Sequence, residues 1–123
     1  MTVVLPSAIH DMRLDTFSAS PLVVTQGDIV NLQATITNLG NVDESKARVN
    51  YRDTTDGPVL FGQNFAINAG DTFVGDVKQW DTSTATIGEH VLKAHVRPTS
   101  GFVDEDPSNN GIFMTVTVNP PSP

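Results

Sequence analysis

The sequence predicts an all-β domain, an antiparallel sandwich of about seven strands of the immunoglobulin-like or fibronectin III-like type. Three observations carry this prediction. Apolar residues alternate with polar ones at a period of two, which places successive side chains on opposite faces of a strand. Glycine-, asparagine- and aspartate-rich turn signals separate these runs at short, even spacing, as in sandwiches. No stretch has the 3.6-residue period of an amphipathic helix.

The elements follow in order. Asp11-Met12-Arg13-Leu14 opens a first alternating segment, and Pro21 ends it. Gln26-Gly27-Asp28 turns the chain into a strand in which Val30, Leu32, Ala34 and Ile36 alternate with polar residues, and Asn38-Leu39-Gly40-Asn41 closes it. Ala47, Val49 and Tyr51 mark the next strand. Asp56-Gly57-Pro58 is the tip of a hairpin joining 47–53 to 59–65. Asn68-Ala69-Gly70-Asp71 precedes a strand from Thr72 to Asp81 whose parity is mixed. There Phe73 and Val77 fall on one face and Val74 and Trp80 on the other, so a β-bulge is expected to switch the phase, with Trp80 in the core. Thr82–Thr86 reads as a polar loop with room for one helical turn. Gly88 leads a strand through Leu92, Ala94 and Val96, and the last strand carries Met114, Val116 and Val118.

Composition narrows the function. The 123 residues suit one domain. The absence of cysteine excludes disulfides, thiolate metal sites and cysteine nucleophiles. A net charge of -7, from 14 acidic and 7 basic residues, disfavours nucleic acid and anionic membranes. The basic residues Arg13, Lys46, Arg48, Arg52, Lys78, Lys93 and Arg97 are scattered singly, so no basic patch is expected. No apolar run reaches the roughly 20 residues of a membrane-spanning helix. Residues 1–10 form a flanking segment without the pattern of a signal peptide, and Met1 reads as the start of a piece of a longer chain. The stub 119–123, with Pro120-Pro121-Ser122-Pro123, reads as an extended linker. The domain itself spans 11–118.

Candidate chemistry is sparse. His90 and His95 are an odd number of residues apart on one strand and face opposite ways, and His10 lies in the N-terminal segment. The three are therefore read as surface or half-buried histidines that share no metal. No serine sits in a Gly-x-Ser-x-Gly elbow, so a small hydrolase is the least favoured reading and no catalytic residue is assigned. Asp53 and Asp56 flank the hairpin, where turn chemistry accounts for Asp56. The richest segment is 103–111, in which Asp104, Glu105 and Asp106 precede Pro107-Ser108-Asn109-Asn110. Its oxygen ligands suit calcium, and a calcium-stabilised binding module using the loop 104–110 is the alternative reading. No other cofactor is expected. Phe61, Phe102 and Phe113, with Phe65, are the aromatic candidates for a binding surface, and alternation turns Phe113 away from Met114 and Val116.

Taken in order, these features resemble the CARDB family, a cell-adhesion-related domain of bacteria and archaea. The resemblance covers 11–118. It rests on Asp11 to Leu14, Pro21, Gly27-Asp28 to Leu32, Asn38-Leu39-Gly40, Gly70-Asp71 to Trp80, Gly88 to Pro98, and the acidic stretch closing in Asn109-Asn110. Arg97 stands where the family usually has an aspartate, and Asp76 and Lys78 stand where apolar residues are usual. The resemblance implies an immunoglobulin-like module, without catalytic residues, in a larger secreted or cell-surface prokaryotic protein. Such a module acts as a spacer or in protein or carbohydrate adhesion. Its partners would be the neighbouring domains and a protein or carbohydrate ligand, with no nucleic acid, no membrane insertion and a monomeric isolated domain.

Overall fold

The computed structural model describes residues 9–98 and 109–121. Among the described residues nine strands follow in order: β1 Met12–Ser20, β2 Val23–Thr25, β3 Ile29–Asn38, β4 Glu44–Asp53, β5 Val59–Ile67, β6 Thr72–Val74, β7 Lys78–Asp81, β8 Gly88–Pro98 and β9 Gly111–Asn119. A 3-10 turn, Thr82–Thr84, falls in the polar loop that the sequence marks. In the first sheet β3 pairs with β1 on one side and with β6 and β7 on the other. The second sheet has the order β2-β9-β8-β4-β5. All described pairs are antiparallel except β2 with β9, which run parallel. The chain reaches that parallel position by leaving the first sheet after β1, at Pro21.

The alternation read from the sequence is what closes the sandwich. Val30, Leu32, Ala34 and Ile36 face inward from the first sheet and meet Val49, Tyr51, Leu92, Ala94, Val96, Val116 and Val118 from the second. Removing apolar surface from water at roughly 25 cal/mol per Å² is the main force holding the sheets together. One-residue irregularities keep the pattern facing the core. In β1 the register shifts between Leu14 and Thr16, so Met12 and Leu14 are buried on one parity and Phe17 and Ala19 on the other.

The mixed parity of 72–81 has the same origin. Phe73 pairs with Ile36 and Trp80 with Val30, so seven steps along this segment oppose six along β3. The extra residue is absorbed at the break between β6 and β7. Both aromatics turn inward, while Val74 and Val77 stay exposed. Trp80 is buried as expected, and the segment counts as two short strands rather than one.

The Asn-x-Gly turn after β3 also has a physical reason. Asn38 is fully buried. Its amide donates to the carbonyls of Val42 (2.8 Å) and Ile67 (3.3 Å), and its Oδ1 accepts from Gly40 N–H (2.9 Å). At Gly40 the backbone of Ile9 passes so close that a Cβ would run into its carbonyl oxygen, so only glycine fits.

Candidate functional site

The strand that runs from Gly88 points its even-numbered side chains inward. His90 therefore lies in the core row with Leu92, Ala94 and Val96, opposite Val116, and is 0% exposed. His95 lies on the outer face, as the odd separation predicts. His10, at the sheet edge, sits 3.1 Å from the buried Glu44 carboxylate. The three histidines are dispersed. The expectation of surface or half-buried histidines fails at His90, because the residues that surround it supply polar partners that composition does not reveal.

Those partners come from the two turns above β8. Asp53 ends β4 and is buried. Its Oδ1 accepts the N–H groups of Thr55 (3.0 Å) and Asp56 (3.3 Å), so Asp53 nucleates the turn that Asp56 only extends. Its Oδ2 meets His90 Nδ1 at 2.7 Å. Asp56, partly exposed, accepts from Thr86 Oγ1 (2.9 Å) and from Thr86 N–H (3.3 Å), and its Oδ2 lies 3.9 Å from His90 Nδ1. On the other side of the ring, Nε2 is 2.6 Å from the Thr86 carbonyl oxygen. The edge of the Trp80 indole closes over the ring, with centroids 5.6 Å apart. Thr54 N–H donates to the Val91 carbonyl (2.9 Å) and Val91 N–H to Thr55 Oγ1 (2.9 Å), which stitches the hairpin to β8.

Both ring nitrogens thus face oxygens that only accept: a carboxylate and a carbonyl. The imidazolium is the one form that donates to both. Burial works against that charge, but the Thr86 carbonyl, the hydrogen bond from Asp53 and the attraction of both carboxylates outweigh it and hold the pKa of His90 above the ordinary 6.5. A hydroxyl also lies near the ring, Thr86 Oγ1 at 3.4 Å from Nε2. It does not form a nucleophile–base pair. The Nε2 proton is directed at the Thr86 carbonyl, the hydroxyl is committed to Asp56, and the ring has no exposed surface.

The same three side chains offer metal-ligand atoms within 4.8 Å of one another. The donor set fits a borderline divalent ion better than calcium. With Nε2–H fixed on a carbonyl, the orientation that metal-binding histidines commonly have, Nδ1 points at two carboxylates. Neither Asp53 nor His90 was singled out for a metal from the sequence. The signal available was the polar, even-numbered His90 in an otherwise apolar core row.

The other sequence candidates fall elsewhere. Asp104, Glu105, Asp106 and Phe102 lie outside the described residues. Phe61 is half-buried against the core and Phe65 is buried, stacked on Phe73 with centroids 4.3 Å apart, so neither is displayed. Phe113 is 57% exposed on the outer face, with the Lys93 ammonium 5.3 Å from its ring centroid. The expectation of singly scattered basic residues is corrected by strand pairing. Arg48 is opposite Arg97 and Arg52 opposite Lys93, so four cations share the outer face of the second sheet.

No protein-family model and no curated protein sequence matches this chain. Solved structures do. The CARDB domain of a Pyrococcus furiosus protein, crystallised in complex with di-metal ions, superposes with a TM-score of 0.76 over 95% of this chain and 100% of that one, at 16% identity. A domain of a candidate cell surface protein from Methanosarcina acetivorans matches with a TM-score of 0.61 over 89% and 92%, at 24% identity. A β-glucosidase from Erythrobacter marinus matches with a TM-score of 0.62 and 13% identity, over 89% of this chain but only 15% of the enzyme. This chain has the fold of the CARDB domain.

Proposed function

We propose that this chain is a non-catalytic β-sandwich module of a larger prokaryotic secreted or cell-surface protein. It spaces its neighbouring domains and makes protein or carbohydrate contact, and it is monomeric in isolation. The observation that carries this reading is the end-to-end fit to a CARDB domain, 95% of one chain on 100% of the other. The Methanosarcina domain, from a candidate cell surface protein, supports the location. The site supports the absence of catalysis, because its only buried histidine is spent on structural hydrogen bonds. Protease treatment of intact cells of the source organism tests the location. The expected result is release of fragments carrying this domain without lysis. A domain that is cleaved only after lysis would refute the reading.

A second reading adds a divalent ion held by Asp53, Asp56 and His90. It is favoured by the donor geometry and by the metal-bound state of the Pyrococcus domain. When bound, such an ion would replace the proton between Nδ1 and Asp53 and tie the hairpin to β8. Thermal melts with zinc, with calcium and with a chelator check it. At a zinc concentration near 100 times Kd, the stabilisation is expected to be about 2.7 kcal/mol, and Asp56→Asn is expected to abolish most of it. An unchanged melting temperature with zinc would end this reading. Stabilisation by calcium that survives Asp56→Asn would instead support the loop of Asp104, Glu105 and Asp106.

A further inference from the structure

The outer face of the second sheet is cationic, on a chain whose net charge is -7. Its residues stand in rows set by the register. Phe113, Lys93, Arg52 and Val59 form one row across β9, β8, β4 and β5. Gly111, His95, Asn50 and Gly62 form the next, and Arg97, Arg48 and Asn64 the third. A depression of about 270 Å³ lies over the first two rows, lined by Asn50, Arg52, Val59, Lys93, His95 and Arg97. Among the described residues no carboxylate lines it. Among the described residues Arg48, Arg52, Lys93 and Arg97 form no ion pair, while Glu89 lies at the far end of the same strand face.

The face is built rather than accidental. Gly62 leaves the space that the Arg48 guanidinium occupies, since a Cβ there would collide with it. Arg48 is then fixed by two neutral acceptors, Asn50 Oδ1 (2.8 Å) and Asn64 Oδ1 (2.9 Å), and keeps its full charge. His95, partly buried between these cations, has its pKa lowered first by burial and then by the charges of Lys93 and Arg97.

We infer that this face binds an acidic polysaccharide through its carboxylate groups, with Lys93, Arg52 and Arg97 pairing the charges and Phe113 stacking on a sugar ring. This rests on the reading of the domain as a contact module and names its ligand class. Charge complementarity selects an anionic occupant over a neutral or cationic one. The charged lining of the depression comes from β4 and β8, both interior to their sheet, and only Val59 belongs to the edge strand β5, so its cations stand away from the backbone edge that a peptide strand would pair with. One aromatic and a strongly acidic remainder of the chain disfavour a nucleic acid, which needs stacking platforms along a continuous basic track. A sugar acid fits what the face offers: cations for carboxylates, the Asn50 amide for hydroxyls and one exposed ring for an apolar sugar face.

Titration of the purified domain with polygalacturonate, with its fully methyl-esterified form and with poly-glutamate tests the assignment, by calorimetry in low salt. The acid polymer is expected to bind, with affinity falling as salt rises. The neutral ester is expected not to bind. The double variant Arg52→Gln/Arg97→Gln is expected to lose roughly tenfold in affinity and Phe113→Ala several-fold, with unchanged thermal melts because all three side chains lie outside the core. No binding of the acid polymer, equal binding of the ester, equal binding of poly-glutamate, or full affinity in the double variant would each overturn it. A surface-exposed domain that ignores the polymer would sink this inference alone, and a domain buried inside the cell that binds it would sink only the proposed location.

Discussion

Replacing Asp53 with alanine is expected to destabilise the domain by about 3–5 kcal/mol, the cost of removing one partner of a buried ion pair. Three losses combine. The His90 imidazolium, fully buried, is left without its 2.7 Å counter-charge. The turn loses the carboxylate that accepts from Thr55 and Asp56. The hairpin and the Thr82–Thr86 segment lose the residue that joins them through the ring. Domains of this kind have total stabilities of about 5–15 kcal/mol, so the variant is expected to be largely unfolded at moderate urea concentrations.

The effect is also expected to depend on pH, in a direction fixed by linkage. The folded pKa of His90 is raised above 6.5, so the stability that its proton confers is fully present below 6.5 and is lost as pH rises through the higher folded value. Urea titrations by circular dichroism, in the presence of chelator and at a series of pH values, should show the wild type weakening over that window. The gap between wild type and Asp53→Ala should narrow in parallel. A gap that is constant with pH would mean that the ring is neutral in the folded state.

Trp80→Ala is expected to cost a comparable 3–5 kcal/mol, the usual range for removing a large buried aromatic. Trp80 pairs with Val30 in the first sheet and covers the His90 ring, so its loss leaves a cavity and lets water reach the ion pair. Phe113→Ala is the contrasting control. Phe113 is exposed, and the change in stability is expected to stay within about 0.5 kcal/mol. Because Trp80 is the only tryptophan, circular dichroism rather than fluorescence has to follow the unfolding of Trp80→Ala. Equal stability of the two variants would contradict the placement of Trp80 in the core.

The period-two pattern was enough to define the sandwich, because burial on one face of a strand leaves its mark on every second residue. It also defined the turns, and the phase switch before Trp80, since Phe73 and Trp80 could both reach the core only through an extra residue. The site was far less legible. Asp53, Asp56, Thr86 and His90 are brought together by the register of β4 on β8 and by two turns, and nothing local in the sequence encodes that convergence. The cationic face was missed for the same reason. Arg48, Arg52, Lys93 and Arg97 are isolated along the chain, and only cross-strand pairing makes them neighbours. The Asn-x-Gly turn was legible as a motif, but its reason, the passage of Ile9 across Gly40, is a contact at long range.

The parallel pairing of β2 with β9 has a mechanical consequence. The chain enters the sandwich near Asp11, which accepts from Asn109 just before β9 begins. It leaves at the opposite end of β9, nine residues later and about 30 Å away. Tension applied between the two ends of the domain therefore runs the length of the sandwich, pulling β1 back at its start and β9 forward at its end. The pull on β1 is met by its ladder to β3, and the pull on β9 crosses its parallel pairing with β2 in shear, so the β2–β9 hydrogen bonds, extended by Gln26 N–H to the Asn119 carbonyl and Thr117 N–H to the Leu22 carbonyl, resist together rather than unzipping singly. A domain wired this way keeps its shape while force passes through it.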